Sequence, residues 1–232
     1  MNIEVCINRL EDLALVQDLA IDRVELCIEL GCGGLTPSLH TIEKAVGLSK
    51  IPLHVLVRPR SGNFVYKTET LDILLQDCKT IQTLGVAGIV TGALTPLGTL
   101  PLVFLEKLRA SLSQCTLYFH RAFDDVITPE KALEELIRIG FDGLLSSGQQ
   151  HTALAGIEQL KHWKEAAEGK LVVMPGSGIN ANNVSHFQKV EFAWVHLSAK
   201  QVLSSQSSSL FSTPQYGVNI SALQDFIDAV KG

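Results

Sequence analysis

Residues 3–9, Ile3-Glu4-Val5-Cys6-Ile7-Asn8-Arg9, decide between two α/β folds. The apolar, β-branched run at the start of this stretch predicts a strand. A doubly wound open sheet usually carries a glycine-rich turn directly after its first strand. Here the strand ends in Cys6-Ile7-Asn8-Arg9, which contains no glycine. The stretch therefore favours a barrel over a doubly wound sheet.

The same unit recurs along the chain: a short apolar run, then turn residues, then a helical period. Eight strands alternating with helices in 232 residues predict a (β/α)8 TIM barrel. No linker divides the sequence, so we expect a single domain over residues 1–232, with the serine-rich stretch 204–209 as a loop inside it. The predicted strands are Ile3–Ile7, Arg23–Cys27, Leu53–Val57, Gly88–Thr91, Thr116–His120, Gly143–Ser146, Leu171–Met174 and Ala193–Leu197.

Residues that cap helices mark several helix boundaries. Asn8, with Glu11 three residues later, has the spacing of a capping box. Thr128-Pro129-Glu130 predicts a helix start with proline in its first turn. Gly85 and Gly140 predict helix ends, because glycine readily adopts the left-handed conformation found there.

Composition and charge exclude several classes of protein. With 19 Lys+Arg against 24 Asp+Glu, the formal net charge is −5, which disfavours nucleic-acid binding. No apolar run of about 18 residues occurs, so we expect no membrane span. The first residues lack the features of an export signal, and five cysteines are too few for a disulfide scaffold. We therefore expect a cytoplasmic protein with reduced thiols.

Polar side chains interrupt strands that are usually almost wholly apolar in a parallel sheet. Glu4 shares a strand face with Cys6, and Glu25 shares one with Cys27. Because helices cover the outside of a barrel, these polar faces should point into its lumen. The candidate catalytic residues, chosen from these faces and from the strand ends, are Glu25, His54, Arg58, Arg60, His120, Arg121 and Asp124.

Two interpretations of this polar lumen remain open. In one, it is a structural network in which Arg58 neutralises Glu4 and Glu25, since buried charges are costly unless they are paired. In the other, it is an active site at the C-terminal strand ends, where barrel enzymes carry their catalytic residues. There the arginines would hold anionic groups, and Glu25, His120 or Asp124 would move protons.

The loops after the seventh and eighth strands contain a candidate anion site. Gly176, Ser177 and Gly178 follow the seventh strand, and Ser198 follows the eighth. Barrels often bind phosphate here through backbone N–H groups. The alternative is a plain tight turn, since a short Gly-x-Gly sequence is common.

Cys6 and Cys27 occupy matching positions on neighbouring strands, each two residues after a glutamate. Adjacent thiolates can bind a soft ion such as Cu(I). Cysteine is also often buried without a functional role, and spacing alone favours that interpretation.

Several ordered motifs resemble the CutC family over residues 4 to about 200. They are Glu4-Val5-Cys6, Arg23-Val24-Glu25-Leu26-Cys27, Gly33-Gly34-Leu35-Thr36-Pro37-Ser38, His54-Val55-Leu56-Val57-Arg58-Pro59-Arg60, Phe119-His120-Arg121-Ala122-Phe123-Asp124, Met174-Pro175-Gly176-Ser177-Gly178-Ile179 and Val195-His196-Leu197-Ser198.

The resemblance implies a (β/α)8 barrel, a cytoplasmic homo-oligomer and a role in copper homeostasis. It also implies Cu(I) binding by cysteines, and the matching positions are Cys6 and Cys27. The alternative function is a barrel enzyme of lyase or isomerase type that acts on a small anionic or phosphorylated metabolite. The expected partner is accordingly a copper ion or a small anion.

Overall fold

A computed structural model describes residues 1–204 and 214–232 of the chain. Most of the serine-rich stretch 204–209 lies outside the described residues. Eight parallel strands form the barrel, and each pairs with its neighbours in chain order. They are β1 (Asn2–Ile7), β2 (Arg23–Leu26), β3 (Leu53–Val57), β4 (Gly88–Thr91), β5 (Thr116–Phe119), β6 (Gly143–Ser146), β7 (Val172–Pro175) and β8 (Trp194–Leu197).

Pairing of the first and last strands closes the barrel. β1 lies parallel to both β2 and β8, and a parallel bridge between Gly176 and His196 joins the seventh strand to the eighth. The predicted (β/α)8 TIM barrel is therefore confirmed, and each observed strand overlaps its predicted range. A short antiparallel hairpin that was not predicted, β9 (Lys200–Ser204) with β10 (Gln215–Val218), follows β8.

Helices follow the barrel strands and cover the outside of the sheet. The main apolar core lies between the two layers and includes Ile3, Val5 and Ile7, which are fully buried. The helices are α1 (Leu10–Val16), α2 (Leu39–Leu48), α3 (Thr68–Thr83), α4 (Leu102–Ser111), α5 (Pro129–Ile139), α6 (Ile157–Ala167), α7 (Val184–Lys189) and α8 (Ile220–Lys231). In the described ranges, no helix combines the length and the apolar character needed to cross a bilayer.

The predicted capping box at Asn8 is wrong. The first helix begins at Leu10, and Arg9 is the extended residue that precedes it, so Asn8 lies one position too early to cap. Other boundary predictions hold in part. Pro129 opens α5 and Gly140 ends it in the left-handed conformation, but the side chain of Thr128 makes no capping hydrogen bond.

Side chains of alternate strand residues fill the lumen, as the sequence predicts. A second apolar cluster there includes Cys6, Cys27, Tyr118 and Met174. Glycines leave room for the largest of these side chains, since a Cβ at Gly143 would overlap the ring of Tyr118. The lower lumen is therefore packed, and the space that remains lies at the C-terminal ends of the strands.

Candidate functional site

A cavity of about 680 Å³ opens at the C-terminal ends of the barrel strands. Five of the candidate catalytic residues line it: Glu25, Arg58, His120, Arg121 and Asp124. Cys6, Cys27 and His196 line it as well, together with residues from the loops after β7 and β8. The structure thus brings the proposed thiol pair and most of the charged candidates to one space.

The thiols of Cys6 and Cys27 face each other on the inner wall of the cavity. Their Sγ atoms are 3.6 Å apart, and both side chains are buried and unoxidised. The hydrogen bond with Cys27, together with burial, raises the pKa of Cys6 well above its ordinary value. Cys6 is therefore a protonated thiol at neutral pH when nothing is bound to it.

A buried ion pair lies next to the thiols. Arg23 Nε donates to Glu4 Oε2 at 2.5 Å, and its guanidinium packs 4.0 Å from the ring centroid of Trp194. Burial opposes ionisation of Glu4, but its hydrogen bond with His196 and the charge of Arg23 lower its pKa to about 2. Arg23, and not Arg58, is thus the cation that neutralises Glu4, which corrects the network expected from the sequence.

His196 lies between two carboxyl groups. Its Nδ1 is 2.7 Å from Glu4 Oε1, and its Nε2 is 3.8 Å from Glu25 Oε2. Burial alone would lower the pKa of His196, but the charges of Glu25 and Glu4 raise it above its usual value. Burial also raises the pKa of Glu25. One candidate ligand atom each from Cys6, Glu25 and His196 lies within 4.8 Å of the others.

Arg58 carries a positive charge that no carboxylate neutralises within the described residues. Its Nη1 donates to the carbonyl oxygens of Cys32 and Gly34, and its Nη2 donates to that of Gly62. The guanidinium carbon lies 4.9 Å from the ring centroid of Phe64. Backbone carbonyls and an aromatic ring therefore fix its position without cancelling its charge.

His120 is buried beside Arg58, and one of its ring nitrogens has a fixed role. Its Nδ1 accepts a hydrogen bond from the backbone N–H of Ala122 at 3.1 Å. Burial and the charge of Arg58 lower the pKa of His120 to about 3. The ring is therefore neutral near pH 7, which argues against the proton-carrying role considered from the sequence.

Asp124 and Arg121 form part of a hydrogen-bonded clamp at the edge of the cavity. The carboxylate of Asp124 accepts hydrogen bonds from Ser146 Oγ at 2.5 Å, Ser147 N at 3.0 Å and Gln149 N at 3.2 Å. Arg121 Nε donates to it at 2.8 Å. Because its oxygens already accept several hydrogen bonds, Asp124 holds the loop after β6 in place.

Two of the candidate catalytic residues are not among those that line the cavity. His54 bonds through Nε2 to Thr116 Oγ1 at 3.0 Å, and burial lowers its pKa to about 4. Arg60 donates to acceptors of its own loop, including Val65 O, and stacks on Tyr66. The alternation of side chains along β3 predicts correctly that His54 points into the lumen, but His54 lies below the cavity.

Only some of the residues predicted to form the anion site after β7 face the cavity. Ser177 and Gly178 line the cavity with Ser198, and both have positive φ angles, 93° and 73°. Gly176 does not contribute its amide, because its N–H donates to Ser146 O at 2.9 Å. The turn at Ser177 and Gly178 is therefore the part of this site that faces the cavity.

Comparison with known proteins gives one consistent family. The model of the CutC family matches residues 1–201. A CutC family protein of Glaesserella parasuis is 37% identical over 232 residues, which is 100% of this chain and 96% of the relative. One of Bacteroides thetaiotaomicron is 35% identical over 239 residues, covering 98% and 96% respectively.

A solved structure agrees with these sequence matches. CutC of Streptococcus agalactiae, whose name assigns it to copper homeostasis, superposes with a TM-score of 0.80 at 30% identity. The match covers 84% of this chain and 97% of that protein. The chain belongs to the CutC family. In this CutC protein the family match spans β1 to β8, so it includes the thiol pair and most residues of the cavity wall.

Two residues of the lumen that contact Glu4 were not among the candidate site residues chosen from the sequence. Arg23 shares strand parity with Glu25 and Cys27, and this parity is the signal that could have placed it in the lumen. His196 lies in one of the motifs that carry the family resemblance, but the sequence did not indicate a ligand or base there. Its position between Glu4 and Glu25 follows from the pairing of β8 with β1, which closes the barrel.

Proposed function

We propose that this CutC protein binds Cu(I) through Cys6 and Cys27 as part of its role in copper homeostasis. The observation that carries the proposal is the pair of buried thiols 3.6 Å apart on neighbouring strands. Thiolates are the soft ligands that suit Cu(I). One ion that forms two metal–sulfur bonds of about 2.3 Å can bridge sulfur atoms at this separation. His196 is the candidate third ligand from the same wall.

The binding of the ion is coupled to loss of protons. Because the pKa of Cys6 is raised, the metal must displace at least one thiol proton when it binds. Cu(I) affinity should therefore rise with pH. The negative charge of Glu25, which helps to raise the pKa of Cys6, favours a bound cation instead.

Cu(I) titration in competition with a chromophoric chelator, under anaerobic reducing conditions, tests the proposal. Replacing both Cys6 and Cys27 by serine should abolish tight uptake. Cys78→Ser is the matched control, since Cys78 is also fully buried but lies in α3 on the outside of the sheet. Unchanged uptake in the double variant would move copper to another thiol, such as the exposed Cys32, and overturn the proposal.

A second candidate function is that of a barrel enzyme, of lyase or isomerase type, acting on a small anionic or phosphorylated metabolite. The uncompensated charge of Arg58 in the cavity favours it. A metal carrier has no use for this charge, whereas guanidinium suits carboxylate and phosphate groups. The turn at Ser177 and Gly178 offers further contacts for an anion.

Thermal unfolding with a panel of sugar phosphates and carboxylates tests this second function. A ligand present at 100 times its dissociation constant stabilises the native state by about 2.7 kcal/mol. Arg58→Met should remove that stabilisation. If no anion raises the melting temperature of the unaltered protein, the enzyme proposal fails while Cu(I) binding stands.

The location and assembly that we propose are a cytoplasmic protein and a homo-oligomer. Five cysteines are too few for a disulfide scaffold, which fits a reducing compartment. Leu97 and Ile127 expose 76% and 67% of their surface, and Ile127 N donates to Gly98 O, so two apolar side chains lie on adjoining loops. Sedimentation velocity measures the assembly, and a monomer at micromolar concentration would contradict the homo-oligomer.

A further inference from the structure

The hydrogen-bonding state of His120 follows from its contacts. Because Nδ1 accepts from Ala122 N–H, its lone pair is occupied and the proton of the neutral ring must be on Nε2. Nε2 is buried and has no acceptor among the described residues. A buried donor without a partner costs about 1–3 kcal/mol, so its retention calls for an explanation.

The ring of His120 is held in position from several sides. Its centroid lies 4.9 Å from that of Phe64 and 5.9 Å from that of Phe119. A Cβ at Gly92 would lie 2.7 Å from the imidazole, so the absence of a side chain at Gly92 makes room for it. The donor is therefore fixed before any ligand arrives.

Arg58 supplies charge next to this donor. Phe64 packs against both residues, 4.9 Å from the guanidinium carbon and 4.9 Å from the imidazole. Both side chains line the cavity, as do the apolar side chains of Leu30 and Leu56. Residues that line the cavity thus carry an uncompensated positive charge, on Arg58, and an unused N–H, on His120, beside apolar side chains.

We propose that His120 Nε2–H and the Arg58 guanidinium bind one carboxylate group of a small organic acid. This inference rests on the second candidate function and names its ligand class. A carboxylate brings one negative charge, which matches the single charge of Arg58, and it has an oxygen for the imidazole donor. The carbon part of the acid packs against Phe64, Leu30 and Leu56.

The neutrality of His120 suits this role. A neutral imidazole donates a hydrogen bond without carrying a second positive charge, and its environment keeps it neutral at physiological pH. It then acts as a fixed donor to a ligand oxygen, in contrast to the proton carrier considered from the sequence.

The first test is NMR of the histidine side-chain nitrogens in the unaltered protein. We expect His120 to show the Nε2–H tautomer without ligand. Acetate, pyruvate or malate should move the Nε2–H resonance downfield and slow its exchange with water. A ring that carries its proton on Nδ1 would overturn the proposal without any variant.

The second test is the affinity of His120→Asn for the same acids. Asparagine retains an acceptor for Ala122 N–H but lacks the Nε2–H donor. Loss of a hydrogen bond to a charged group should weaken carboxylate binding by at least about tenfold. Cys115→Ser, at a position that does not line the cavity, is the control and should bind the acids normally. Arg58→Lys, which keeps the charge but not the fork of donors, should also weaken binding.

The outcomes separate this inference from the function on which it rests. Equal carboxylate affinity in His120→Asn and the unaltered protein overturns the carboxylate site alone. Binding of inorganic phosphate or sugar phosphates, with none of the carboxylates, also overturns it and leaves the enzyme proposal standing. If neither class binds, both are overturned.

Discussion

The buried, neutral His120 predicts a measurable loss of stability in acid. Its pKa is about 3 in the fold, against 6.5 for an ordinary histidine. Between these two values the unfolded chain binds a proton that the folded chain does not, so stability falls as pH decreases through 6.5. At pH 5 this difference amounts to 1.5 pH units, or about 2 kcal/mol at about 1.36 kcal/mol per unit.

The comparison uses the unaltered protein and His120→Asn. Asparagine has no proton to gain, so the unaltered protein should lose about 2 kcal/mol more of its unfolding free energy between pH 7 and pH 5. His54, whose pKa is about 4, contributes a similar loss to both proteins and cancels. Loss of ring packing lowers the stability of the variant at both pH values and also cancels.

Equilibrium urea unfolding at pH 7 and pH 5, followed by the fluorescence of Trp163 and Trp194, measures the difference, with refolding from urea as the check of reversibility. Equal losses in the two proteins would refute the reasoning. They would mean that His120 accepts a proton inside the fold near pH 5, and that the hydrogen bond between Nδ1 and Ala122 N–H does not persist.

Three further predictions concern the lumen and its rim. Arg23→Met should cost about 3–5 kcal/mol in urea unfolding, because it removes the arginine that neutralises the buried glutamate of β1. Arg58→Met should cost less, and equal costs would contradict the assigned ion pair. Gly143→Ala should lower the free energy of unfolding by about 1–3 kcal/mol, because the added Cβ would overlap the tyrosine ring of β5. Gly47→Ala is the control, since Gly47 lies in a helix with open space around it, and it should not lower stability. A Gly143→Ala protein of unchanged stability would show that the lumen can rearrange. Asp124→Asn should speed amide hydrogen exchange in the loop after β6 without reducing Cu(I) uptake, and lost uptake would place this loop in the metal site.

The strands could be predicted from the sequence because their signals are local. Short β-branched runs separated by turns and helical periods locate each strand to within a few residues. Alternation by two then decides which side chains enter the lumen, and it placed Glu4, Cys6, Glu25 and Cys27 there correctly.

The partners within the lumen could not be predicted in the same way. Arg23 and Arg58 have the same inward parity, but only Arg23 lies at the height of Glu4, to which it is matched across the β1–β2 pair. The height of a side chain along the barrel axis depends on the stagger between neighbouring strands. That stagger belongs to a pair of strands and cannot be read from the sequence of either strand alone. The same stagger keeps His54 below the cavity although its side chain points inward.

The roles of side chains at the rim were harder to predict than those in the lumen, because loops have no regular alternation of side-chain direction. Arg60 follows a strand closely and was therefore considered catalytic, yet its guanidinium is used by carbonyl oxygens of its own loop. Arg58, two residues earlier, makes similar bonds but faces the cavity. Only the path of the loop distinguishes the two.

The packing of the lower lumen makes the cavity a well with one entrance. Arg23 contacts Tyr118, Met174 and Trp194 across the barrel beneath it. Whatever the well contains must leave by the entrance through which it came, so arrival and departure compete for the same passage. An occupant close to the floor, beside the thiols, shares its way out with anything bound nearer the rim.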